Sequence, residues 1–107
     1  MILVTSDNIP GRKIKKTLGL VRGNTIRARN IGHDIMAALR NLAGGEITDY
    51  TKMVAESREQ AIDRMVAEAN ALNADAITCI RFTTNSMMQG AAELLAYGTA
   101  VELEDEA

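Results

Sequence analysis

Two side chains capable of soft-metal or nucleophilic chemistry occur once each in this sequence, His33 and Cys79. A thiolate or imidazole site needs three or four ligands held in one geometry, and the chain has no Cys-X-X-Cys or similar close spacing. His33 falls in the first turn of a predicted helix, beside Asp34. A histidine base needs an orienting carboxylate at hydrogen-bond distance, and adjacent helix residues point apart. We read it as a solvated helix-start histidine. Cys79 lies in a predicted strand, where a lone cysteine usually serves as a small buried apolar residue. Met36, Met53, Met65 and the pair Met87 and Met88 offer thioether sulfur, the type of ligand that suits Cu(I). They are scattered over separate elements, and the first three are read as packing. Gly44 and Gly45 match neither Gly-X-X-X-X-Gly-Lys-Ser/Thr nor Gly-X-Gly-X-X-Gly. Glu104, Asp105 and Glu106 read as solvated tail carboxylates. No catalytic constellation emerges, and the residues point to a non-enzymatic protein without a resident cofactor.

The elements that would position these residues follow from periodicity. Residues 2–5 read as a short strand and 8–11 as a turn, in which Pro10 presets φ and Gly11 accepts positive φ. Residues 14–22 alternate in a β-like way. Gly23 and Asn24 read as punctuation, and 25–28 as a second strand or the far side of a bulge. Asn30 is placed as the N-cap of a helix over 31–43, whose stripe is Ile31, Ile35, Ala38, Leu39 and Leu42. Gly44 and Gly45 end that helix, and Tyr50 is expected to pack there or across a subunit boundary.

A longer helix is predicted over 49–73, with Val54, Ala55, Ala61, Ile62, Met65, Val66, Ala69 and Leu72 in one apolar sector. Arg58 falls near the middle of that sector. It either reaches out along its aliphatic stem or meets a carboxylate from a neighbour. Residues 76–83 form a β-branched strand, 85–90 a loop, and 94–103 a final strand, with the acidic tail over 102–107 expected to fray. That strand is apolar on both faces, with Tyr97 on one and Gly98 on the other. A sheet wet on one side alternates instead, so one face is expected to meet the helices and the other a second subunit.

Composition sets the frame. The chain has 107 residues, which suits one domain over 1–107, and a domain this short is easily marginal in stability. Its only aromatics are Tyr50, Phe82 and Tyr97, and no disulfide can form within it. Association of copies is the remaining source of buried area. A lone thiol fits a reducing compartment; there is no apparent signal peptide and no run long enough for a membrane span. A cytoplasmic protein is expected. The net charge of −2 divides into +6 over residues 1–40 and −8 over the remainder. The basic part has no aromatic for base stacking and no recognised nucleic-acid motif. We read the charges as interleaved in one domain or paired between subunits, with neither nucleic acid nor membrane as partner.

Several stretches resemble the YbjQ family, small bacterial and archaeal proteins of unknown function. They are Leu18-Gly19-Leu20-Val21-Arg22-Gly23, Ala28-Arg29-Asn30-Ile31, Arg40-Asn41-Leu42-Ala43-Gly44-Gly45 with Tyr50 five residues on, Ala71-Leu72-Asn73-Ala74-Asp75-Ala76-Ile77, and Gly98-Thr99-Ala100-Val101. The resemblance spans nearly the whole chain. It implies an α+β subunit similar to dodecin-like folds, assembled as a ring, most often a pentamer or a pair of pentamers, and it carries a heavy-metal-binding label. A divalent or soft metal ion is the one cofactor this leaves open, with His33 and Cys79 as its candidates.

The expectation is therefore an antiparallel sheet on two helices, ordered β-β-(β)-α-α-β-β, in a homo-oligomer. Asn30, Gly44, Gly45, Tyr50, Arg58, Tyr97 and Gly98 are its structural or interface positions. The alternative is a metal- or small-ligand-binding protein whose sites form between subunits.

Overall fold

The computed structural model describes residues 1–27, 48–88 and 91–105. Its elements are β1 (Ile2–Leu3), β2 (Ile14–Arg27), α1 (Thr48–Ala71), β3 (Ala76–Met88) and β4 (Ala91–Leu103). The four strands form one sheet in the order β1-β3-β4-β2. The α+β class holds. The sheet is mixed rather than antiparallel, because β1 joins β3 in parallel while β3–β4 and β4–β2 are antiparallel. The predicted helix over 31–43 lies outside the described residues, as do its N-cap Asn30, His33 and the Gly44-Gly45 stop.

Several boundaries differ from the sequence reading: β1 ends at Leu3 and not at residue 5, and β4 starts at Ala91 and not at residue 94. Residues 14–22 and 25–28 were expected to be separated at Gly23-Asn24, yet β2 runs unbroken through both. Gly23 is required there for another reason. A Cβ at this position would land on the Ala61 carbonyl and the Met65 amide, both backbone atoms of the crossing helix. The expected loop over 85–90 is strand as far as Met88, held by pairing with β4. The tail does not fray at once. Glu102 pairs with Lys16 in the ladder and lies 3.6 Å from the Lys15 ammonium, and the Glu104 N–H donates to the Lys13 carbonyl at 2.8 Å.

Local chemistry explains the turns. The Arg12 N–H closes the Ile9-Pro10-Gly11-Arg12 turn on the Ile9 carbonyl at 3.0 Å, with Gly11 at φ 84°, as Pro-Gly at the two central positions favours. At the end of α1, Asn73 takes φ 58°. Its N–H donates to the Asn70 carbonyl and that of Ala74 to the Ala69 carbonyl, the paired bonds of a Schellman cap. Asp75 then fastens the sheet: its carboxylate accepts from the Leu103 N–H at 2.8 Å and its own N–H donates to Val101.

The core lies between α1 and the sheet. Ala61, Met65 and Ala69 pack on Val21, Ile77, Ile80, Ala96 and Ala100, and the Thr25 hydroxyl donates to the Ser57 carbonyl at 3.0 Å. The covered stripe of α1 is thus centred on Ala61 and Met65, to one side of the sector read from the sequence. Ile62 and Val66 are only half-buried, and Arg58 is exposed at the margin. A second cluster sits on the opposite face of the sheet at one end, where Val4 and Ile9 cover Ala76, Val101 and Leu103.

Candidate functional site

The opposite face of the sheet, away from that second cluster, is where polar side chains gather. The three-strand register places Arg22, Tyr97 and Arg81 in one row across β2, β4 and β3. The next rows are Asn24, Leu95 and Thr83, then Ile26, Glu93 and Asn85. The Glu93 carboxylate gathers its neighbours. One oxygen accepts from Asn24 Nδ2 at 2.9 Å and the other from Asn85 Nδ2 at 3.3 Å, so a single side chain ties all three strands together. Arg22, Asn24, Glu93 and Leu95, with Glu68 of α1, line an open hollow of about 310 Å³. Arg64, also from α1, donates to the Asn24 backbone carbonyl. Arg81 uses Nη1 to hold the Thr5 and Ile80 carbonyls, each at 2.9 Å.

Among the described residues, no three His, Cys, Asp or Glu side chains are grouped so as to hold a metal ion. Cys79 occupies a bulge in β3 at φ 55°, is half-buried, and donates its N–H to the Ser6 carbonyl at 3.0 Å. Its sulfur therefore has no ligand set within the described part of one copy. Tyr97 is half-buried between the two arginines. Gly98 is fully engaged in packing: a Cβ there would meet Ile77 Cγ2 at 2.7 Å and the Thr78 carbonyl at 2.9 Å. Tyr50 lies in the first turn of α1, and its side chain is outside the described set. Sequence reasoning missed the Asn24–Glu93–Asn85 bridge. By sequence Asn85 falls in a loop and Glu93 just outside the final strand, so no register connects them.

The family model described as "Putative heavy-metal-binding" matches residues 1–104. This chain belongs to the YbjQ family. UPF0145 proteins are close relatives: that of Clostridioides difficile is 55% identical over 106 residues, covering 99% of this chain and 95% of its own. That of Dehalococcoides mccartyi is 56% identical over 104 residues, covering 97% and 100%, and that of Methanosarcina acetivorans is 54% identical over 103 residues, covering 96% and 97%. A crystal structure of a protein of unknown function from Pediococcus pentosaceus shares the fold, with a TM-score of 0.65 at 18% identity over 97% of this chain and 98% of that one. The family model's description names metal binding, and the relatives are named only as UPF0145 proteins. The donor set among the described residues of one chain does not fit a heavy-metal centre.

Proposed function

We propose that this YbjQ-family chain is a non-enzymatic, cytoplasmic, single-domain subunit of a homo-oligomer, in keeping with the ring the family resemblance implies. The observation that carries the reading is uncovered apolar surface on a long, thin subunit. Leu20 is 63% and Ile26 52% exposed on the sheet face opposite α1, and Phe82 is 44% exposed on the helix side. The radius of gyration is 17.5 Å and the longest dimension 58 Å, against about 13 Å for the radius of a compact chain of this length. Apolar surface left wet forgoes roughly 25 cal/mol per Å², and further copies are the most economical cover for it. Light scattering at micromolar concentration tests this. A particle of several subunit masses is expected, and a stable single chain of 11.6 kDa contradicts it.

The family's metal description favours a second reading. Symmetry can bring one Cys79 or one His33 from each copy to a shared axis and build a ligand set that one chain lacks. Elemental analysis of untagged protein separates the readings. A stoichiometric metal lost on Cys79→Ser or His33→Ala supports the second, and a sub-stoichiometric content unchanged by either substitution removes it.

A further inference from the structure

Arg58 stands in apolar company without a counter-charge. Val54 and Ile62, four residues to either side, share its flank of α1; Val54 is exposed and Ile62 half-buried. A carboxylate could reach Arg58 along the helix from three or four residues away, and those positions hold Val54, Ala55, Ala61 and Ile62. Among the described residues Arg58 makes no ion pair or hydrogen bond. Arg12, Arg64 and Arg81, by contrast, each hold a backbone carbonyl.

The hollow beside β2 has the opposite shortage. Glu68 and Glu93 line it against Arg22, which leaves one negative charge unmatched. The cation four residues before Glu68 is Arg64, and that guanidinium is turned to the Asn24 carbonyl instead. Glu93 accepts from the Asn24 and Asn85 carboxamides, neutral donors that leave its charge in place. Leu95 supplies apolar lining. On β2, Leu20 and Ile26 stand two residues outside Arg22 and Asn24, and both are largely exposed.

We propose that Arg58 of one copy enters this hollow on the next copy and bridges Glu68 and Glu93. The inference rests on the homo-oligomer reading and gives its ring a specific contact. A guanidinium suits the place, being planar, always charged, and able to serve two carboxylates with its five donors. The two patches match in length as well as in charge. Leu20 and Ile26 are about 20 Å apart along β2, and Val54 and Val66 about 18 Å apart along α1. Laying one line on the other covers apolar surface at both ends and surrounds the ion pair with side chains that exclude water. Interfacial arginines contribute most in such surroundings. Arg58 lies about 120° round α1 from Arg64, the residue that reaches the β2 edge, so the patches occupy different sides of the subunit. A contact between unlike patches is heterologous, and its repetition by rotation closes a ring.

Charge reversal tests the pairing, read by light scattering at micromolar concentration. Arg58→Glu is expected to give half the parent mass or less with an unchanged far-UV CD spectrum, because Arg58 is exposed in one copy. Glu68→Arg should do the same, since it replaces the hollow's unmatched negative charge with a positive one. Both substitutions in one chain are expected to recover the parent mass, the reversed hollow now suiting a carboxylate. Arg58→Ala keeps the test open where a reversed variant does not fold, and it too should lower the mass. A folded Arg58→Glu or Arg58→Ala protein at the parent mass, or a folded double variant that recovers nothing, overturns the contact while the homo-oligomer reading stands. A parent protein that scatters as a single chain overturns both.

Discussion

At its C-terminal end β4 buries Val101 and Leu103 beneath Val4 and Ile9, whereas earlier on the same face Tyr97 and Leu95 are half-buried beside a largely exposed Leu20. One strand, apolar on both faces, thus has two different surroundings. The chain's own first residues seal one end, tied down by the Ile2, Val4, Cys79 and Ile80 amides and by Asp75. The other end extends past that cover and, among the described residues, has α1 on one side alone. The contrast teaches that the chain's own first residues, and not a second copy, cover the outer face of β4 at Val101 and Leu103. The N-terminal segment fills that place at one end, and the proposed contact with another copy is left to the other.

Substitutions on either side of this divide should behave differently. The largest effect is expected where helix and sheet touch through backbone. Gly23→Ala drives a Cβ into the Ala61 carbonyl and Met65 amide, neither of which can move without separating α1 from β2. A loss of about 3 kcal/mol or more in urea unfolding is expected, with assembly lost as a consequence. At the sealed end, Leu103→Ala leaves a cavity under Ile9 and should cost about 2–3 kcal/mol, measured the same way. At the open end, Leu20→Ser should change the stability of the isolated subunit by no more than about 0.5 kcal/mol. If Leu20→Ser matches Leu103→Ala in dilute solution, the two ends are not distinct.

Much of the frame was legible in the residues. The long amphipathic helix, its stop at Asn73, the Pro10-Gly11 turn and both C-terminal strands follow from local chemistry. What escaped were features decided by tertiary contact. Residues 85–88 carry turn-forming Asn and Ser, and they become strand because β4 lies alongside. Gly23 reads as a break in sequence and proves to be the point where a helix crosses close. Arg58 falls mid-sector on a helical wheel, but the sheet covers a stripe rotated toward Ser57 and Ala61, so Arg58 meets solvent. The Glu93 bridge depends on the register of three strands with bulges at Gly19 and near Cys79, and no single-strand pattern contains it. Asp75, conspicuous within an Ala-Leu-Asn-Ala-Asp-Ala stretch, turns out to be a fastening for Leu103 rather than a chemical group.

The mass in solution of the parent protein and of Leu20→Ser, followed by light scattering over a dilution series, addresses the open end most directly. The parent should scatter as several chains of 11.6 kDa and Leu20→Ser as fewer at the same concentration, because Leu20 is 63% exposed in one copy. A parent that scatters as a single chain at every concentration, in a protein whose core amides exchange slowly, would show that nothing covers this end.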